Sequence, residues 1–160
     1  MVRLNKYVWV LLAGWLFGCG EEVSNREASY VLYQISSTPT RGEAIISELG
    51  DGTLEIQVQL KPIGEGSYKA HLHFGSINEV GELAYRLNDI DGETGYSTTV
   101  LDKVKLSDGR TLTYDRLMNM DGSIKVHMRG FELENAVLAY GNVGKNDNFL
   151  FQGLTVCTGH

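Results

Sequence analysis

The sequence predicts an all-β domain, an antiparallel β-sandwich with one short helix, over most of its 160 residues. Polar and apolar residues alternate in many short runs, which is the pattern of strands with one buried face and one face in water. Turn sequences such as Asp51-Gly52 and Asp108-Gly109 separate these runs. About eight or nine strands with turns between them are typical of a sandwich.

The clearest strand is the run 53–60, in which the even-numbered residues are apolar and the odd-numbered residues are polar. The same pattern predicts further strands at 29–35, 42–49, 68–74, 82–88, 96–106, 123–128, 136–143 and 149–156. A short helix is expected at 113–120, where Thr113 is a suitable N-cap and the charge of Asp115 suits the first turn. Leu117 and Met120 are spaced to face the core.

The first 19 residues are typical of an export signal. Arg3 and Lys6 precede an apolar stretch of 11 residues, and Gly18 stands directly before Cys19. As a helix this stretch would reach only about 16 Å, roughly half of the hydrocarbon core of a bilayer. A membrane-spanning anchor is therefore not expected from this segment.

The run from Leu16 to Cys19 resembles the lipobox of bacterial lipoproteins, although Phe17 occupies a slot that usually holds a small or aliphatic residue. The resemblance implies that Cys19 is acylated, becomes the mature N-terminus and holds the protein on a lipid membrane. Gly20 in place of Asp implies the outer membrane of a bacterial cell envelope. Residues 20–28 would then be a tether and residues 29–160 the domain. The alternative is an ordinary secretory signal in which Cys19 is incidental.

Charge and cysteine content restrict the possible partners. Arg3 and Lys6 are the only charged residues of the leader, so the rest of the chain carries 12 basic and 20 acidic groups, a net charge of −8. Nucleic acid binding needs clustered Lys and Arg, and no nucleic acid partner is expected. Once Cys19 is acylated, only Cys157 remains, and no disulfide can form within the chain.

Five stretches, in register, resemble the CHRD domain, a module named after chordin that also occurs in bacterial lipoproteins. They are Ala70–Phe74, 87–95, 112–117, 121–128 and 139–144. The resemblance implies an immunoglobulin-like or superoxide-dismutase-like sandwich and no established catalytic chemistry. One departure is Asn142, which stands where the family pattern has a carboxylate.

His71 and His73 are the strongest candidates for chemistry, because residues i and i+2 of a strand point to the same face about 7 Å apart. His127 lies on the non-core face of its strand if Ile124 and Val126 are buried. Three imidazoles suit Zn²⁺ or Cu²⁺, which would make a metal site on the protein surface. The alternative is that these histidines bond loop carbonyls and only order the edge of the sandwich.

A second candidate ion site is the acidic run Asp89, Asp91 and Glu93, which resembles the opening of a calcium loop. It lacks the distal bidentate Glu, and Asx-turn hydrogen bonding explains these residues equally well.

Two functions remain open after this reading. The favoured one is a non-catalytic binding or structural module that contacts an unidentified envelope or extracellular partner, because the sequence contains no G-x-S-x-G, P-loop or G-x-G-x-x-G motif. The alternative is a Cu or Zn protein that uses His71, His73 and His127.

Overall fold

A computed structural model describes residues 26–35, 40–79, 81–129 and 136–147. The expected export signal with Cys19, the tether as far as residue 25, the strand expected at 149–156 and Cys157 lie outside these residues. In the described part of the chain, no helix is long and apolar enough to cross a membrane.

The described residues form ten strands and one helix. The first five strands are β1 (Arg26–Gln34), β2 (Thr40–Glu48), β3 (Leu54–Gln59), β4 (Ser67–Tyr68) and β5 (Ala70–Phe74). They are followed by β6 (Leu83–Arg86), β7 (Ile90–Asp91), β8 (Tyr96–Leu101), α1 (Tyr114–Met118), β9 (Asp121–His127) and β10 (Val137–Gly144). The all-β, sandwich-like fold with one short helix is therefore confirmed.

All ten strands belong to one curled antiparallel sheet, in the order β4-β7-β8-β3-β2-β1-β10-β9-β5-β6. The sheet curls round because β4 and β5, near its opposite ends, are halves of one extended segment separated only by Lys69. β4 pairs with β7, whereas β5 pairs with β6 and β9. The backbone of Lys69 continues the second pairing, since its carbonyl accepts a 2.9 Å hydrogen bond from the amide of His127.

The core fills the inside of the curled sheet with aliphatic side chains from both halves. Ile46 and Ile56 come from one side and Leu72 and Ile124 from the other, and all four are fully buried. This packing follows from the alternation in the sequence, which directs one side of every strand to the same interior.

The helix is shorter than expected but begins where predicted. The hydroxyl of Thr113 accepts a 3.2 Å hydrogen bond from the amide of Arg116, and Leu117 is fully buried. At the last residue of β10, Gly144 has a φ of 79° and packs against the end of α1. A Cβ there would lie 2.2 Å from the carbonyl oxygen of Met120, so only glycine fits.

Some strand limits differ from the expected ones. β1 begins at Arg26, so residues 26–28 of the expected tether pair with β2 and are part of the sheet. The expected strand 96–106 ends at Leu101, and 68–74 is interrupted at Lys69. These differences arise because pairing partners, which are remote in sequence, decide where a strand ends.

Candidate metal centre

The three predicted histidines lie on two paired strands. In β5, Ala70 and Leu72 enter the core, so His71 and His73 point to the opposite face. β9 runs antiparallel beside it, with His71 opposite Lys125 and His73 opposite Ser123. His127, two residues beyond Lys125, therefore shares the face of His71 and His73.

The three rings converge. Ring centroids are 4.7 Å apart for His71 and His127, 5.8 Å for His71 and His73, and 6.2 Å for His73 and His127. One nitrogen of each ring can be chosen so that all three lie within 4.8 Å of one another. The expectation that the two strands bring these residues together is met by the geometry.

The site is not on the surface, and this part of the sequence analysis was wrong. Relative exposure is 8% for His71, 1% for His73 and 4% for His127. The outer face of β5, β9 and β10 is in contact with a segment after β5, here called the covering loop (residues 75–79 and 81–82). Ile77 of this loop is buried and packs with Val137 and Tyr140.

The covering loop is bonded to three strands through polar groups. Nδ1 of His73 lies 3.0 Å from the carbonyl oxygen of Gly81, and since a carbonyl only accepts, Nδ1 carries the proton. The Lys125 ammonium donates to the carbonyl of Glu79 at 3.2 Å. The amide of Ile77 donates to Oδ1 of Asn142 at 2.8 Å. The loop is thus positioned by the same face that carries the histidines.

The hydrogen bond to the carbonyl of Gly81 determines which tautomer His73 adopts. In a neutral imidazole with the proton on Nδ1, Nε2 carries the lone pair. A metal-binding histidine commonly donates its other ring N–H to a backbone carbonyl, which orients the ring and makes it a better ligand. The pair of His73 and Gly81 has this arrangement.

Two described cations are opposite the cluster in the sheet. Lys125 is opposite His71 on β9 and is 2% exposed, and Arg86 is opposite His71 on β6. Among the described residues, no carboxylate is directly opposite a histidine in the sheet. The nearest by register is Asp121, diagonal to His73, and its carboxylate accepts a hydrogen bond from Asn146.

The residue types fit a zinc or copper ion, but the three nitrogens would have to move closer together to bind one ion. Tetrahedral Zn²⁺ with Zn–N bonds of about 2.0–2.1 Å separates its nitrogens by about 3.3 Å. A separation of 4.8 Å would therefore have to shorten by about 1.5 Å for all three nitrogens to bind one tetrahedral ion. The fourth position of such an ion has no described histidine or carboxylate ligand.

The acidic run at 89–93 includes β7 and leads into a turn at 92–95. Oδ1 of Asp91 accepts hydrogen bonds from the amides of Glu93 and Thr94 and from the Thr94 hydroxyl, at 2.9–3.0 Å. The carboxylate of Asp89 accepts from Ser67 at 2.8 Å. Since Asp91 caps its own turn, the Asx-turn explanation accounts for the pattern without an ion.

Sequence reasoning overlooked two buried polar residues of the outer face, Lys125 and Asn142, as parts of the site. Alternation along β9 places Lys125 beside His127, and this signal was available. The covering loop, by contrast, has no motif that indicates where it folds.

A scan against protein-family models, a comparison with curated proteins and a comparison with solved structures each find no match. The resemblance to CHRD domains therefore stays a prediction based on the five sequence stretches.

Proposed function

We propose that this protein is a non-catalytic β-domain, attached to the bacterial envelope through Cys19, that binds one copper or zinc ion through His71, His73 and His127. The observation that carries the proposal is the convergence of three buried imidazoles from two strands. Because of this convergence we favour a metal-binding protein, which was the alternative in the sequence analysis, over a general binding module.

The alternative, in which the histidines bond loop carbonyls and only order the sheet edge, is met at His73, which bonds the carbonyl of Gly81, but it does not account for the convergence. A histidine that only orders a strand edge needs one hydrogen-bond partner, and it does not need two further imidazoles within 4.8 Å. Three imidazoles are a sufficient protein ligand set for zinc, and imidazole also suits copper. The bond from His73 to Gly81 adds the outer-shell contact that such ligands commonly have.

Burial supports a binding role rather than catalysis. Three histidines leave the fourth position of a tetrahedral ion open, and catalysis there would need a path by which a substrate reaches that position. The covering loop lies over this face, and His73 is only 1% exposed. A substrate would have to displace a loop that is bonded to His73, Lys125 and Asn142.

The location on the cell envelope and the resemblance to CHRD domains are part of the same proposal. The lipobox-like run ending at Cys19 supports attachment to the outer membrane, and the CHRD-like stretches support a display domain of that family. Neither resemblance bears on the metal, so each has to be tested separately.

The experiment is a metal titration of the full-length protein in detergent. We expect one Zn²⁺ or one copper ion per chain, with a rise in the unfolding temperature when the metal is added. His73→Ala and His127→Ala should each weaken binding by more than about 100-fold, since loss of an outer-shell partner alone commonly costs about 10–100-fold.

The matched control is His160→Ala, which removes the fourth histidine of the chain and should leave the affinity unchanged. Binding that is absent in the wild type, or that survives loss of His73 and His127, would contradict the proposal.

A further inference from the structure

We infer that the domain stands on the lipid surface with one definite end toward the membrane, the end at which β1 begins, here called the anchored end. The inference rests on the proposed lipid attachment at Cys19. It adds which end of the domain meets the lipid and which end is presented away from it.

The anchored end consists of the start of β1 and the chain ends beside it in the sheet. Arg26 is paired with Glu48 at the end of β2, and Glu48 is paired with Leu54 at the start of β3. Leu54 is in turn paired with Leu101, the last residue of β8. Because these strands are antiparallel, the turn between β2 and β3 and the segment after β8 both lie at the anchored end.

Arg26 is fixed to the domain and cannot serve as extra length for a tether. Its guanidinium contacts the carboxylates of Glu48 and Asp115 at 2.6 and 2.5 Å, and it lies 4.6 Å from the centre of the Tyr114 ring. The backbone of residues 26–28 is also paired with β2. The length available between the lipid and the domain is therefore that of residues 20–25 alone.

This connection is shorter than the domain is long. The seven steps from Cys19 to Arg26 span at most about 25 Å when fully extended. The nine-residue strand β1 is about 30 Å long. With Cys19 at the lipid, the opposite end of the domain cannot be turned to the membrane without entering the bilayer.

Charge disfavours a domain that lies flat. The chain after the leader has a net charge of −8, and anionic lipid headgroups repel it. Repulsion is weakest when the smallest part of the domain is near the surface, which is the case when only the anchored end approaches the lipid.

The opposite end, here called the presented end, consists of the turns that follow β3 and precede β8. The amides of Ile63 and Gly64 donate to the carbonyl of Gly92 at 2.8 and 3.0 Å, and the amide of Gly92 donates to the carbonyl of Gly66 at 2.7 Å. The two turns are thus bonded to each other, and in the inferred orientation they face away from the membrane.

The test measures energy transfer from a fluorescent label on the full-length, lipid-modified protein to acceptor lipids in phosphatidylethanolamine–phosphatidylglycerol vesicles. The label is attached to Asp102→Cys at the anchored end or to Glu93→Cys at the presented end, each combined with Cys157→Ser. Both sites are exposed, and each substitution removes one negative charge. We expect the label at residue 102 to lie up to about 20 Å nearer the lipid, which is the length of the six residues of β8, and to transfer energy more efficiently.

A second pair, Lys103→Cys and Lys61→Cys, repeats the comparison at exposed positions that each lose one positive charge, should a variant of the first pair not fold. Insertion of twenty Gly and Ser residues after Glu22 makes the connection longer than the domain and should reduce the difference between the two ends. A difference that the insertion leaves unchanged counts against the inference.

Equal transfer from the two ends, or more transfer from the presented end, in protein bound to the vesicles would overturn the inference while leaving the lipid attachment intact. Protein that does not bind the vesicles at all removes the proposed attachment itself, so the two failures are distinguishable.

Discussion

Asp91 illustrates how one side chain determines the local structure of a turn. Hydrogen bonds from the amide and hydroxyl of Thr94, and then from the amide of Glu93, lower the pKa of Asp91 below its ordinary value of 3.8. Asp51 and Asp108 have lowered pKa values for related reasons: Thr53 bonds the first, and Arg110 bonds the second. All three carboxylates are therefore better stabilised as anions in the folded chain than in the unfolded one.

The sign of the pH dependence follows from this difference. A carboxylate with a lowered folded pKa contributes stability above its ordinary pKa, and that stability is lost as the pH falls through the lowered value. We expect the free energy of unfolding to fall as the pH is reduced from about 5 to about 2, and Asp91→Asn to reduce this fall. Urea unfolding of the wild type and of Asp91→Asn at a series of pH values measures the free energy of unfolding for this comparison.

The control for this prediction is Asp102→Asn, at an exposed position after β8, which should keep the wild-type pH profile. A profile for Asp91→Asn as steep as that of the wild type would show that the turn does not depend on the ionised carboxylate.

At this same scale, sequence reasoning identified the three histidines but not their environment. The spacing of His71 and His73 is local, and period two is enough to place both on one face. The burial of His73 depends on Gly81 and on Asn142, which lies 69 positions further along the chain than His73. Contacts between residues this remote leave no periodic signal, and so the site was expected on the surface.

At the scale of elements, α1 is a single short turn of helix whose stability depends on its cap and on Leu117. Only five residues are helical, which is too few to be stable without packing. Arg26 adds a link from β1, because its guanidinium contacts the carboxylates of Glu48 and Asp115 at 2.6 and 2.5 Å and lies 4.6 Å from the centre of the Tyr114 ring.

We expect Thr113→Ala to lower the free energy of unfolding by about 1 kcal/mol, because the hydroxyl that accepts from the amide of Arg116 is lost. Thr113→Ser keeps the oxygen and should lie close to the wild type. Equilibrium urea unfolding of the two variants makes the comparison, and equal stabilities would mean that the cap contributes nothing.

The elements also show which boundaries are predictable from sequence. The N-cap at Thr113 is a local signal and was placed correctly, as was the alternating strand β3. The interruption at Lys69 was not foreseen, since β4 and β5 alternate without a break in sequence. The interruption exists because the strand before Lys69 pairs with β7 and the strand after it pairs with β9. This change of partner is determined by the complete sheet and not by the local sequence.

At the scale of the whole molecule, the proposed attachment through Cys19 is tested by Cys19→Ser. Without the thiol there is no acylation, and we expect the protein to move from the membrane fraction to the soluble fraction of the cell. Cys157→Ser is the matched control and should stay with the membrane. Retention of Cys19→Ser in membranes would contradict lipid anchoring.

The two ends of the curled sheet bear on how copies of such a domain can pack side by side. In the described part of the chain, the terminal strands of the sheet are β4 and β6, of two and four residues, and Arg86 at the end of β6 is exposed. Long unpaired strand edges are what allow neighbouring molecules to join their sheets and aggregate. Molecules held side by side in the plane of a membrane meet at high local concentration. If the domain is held on a membrane as proposed, the terminal strands of its described part would offer neighbouring copies little edge backbone through which to join their sheets.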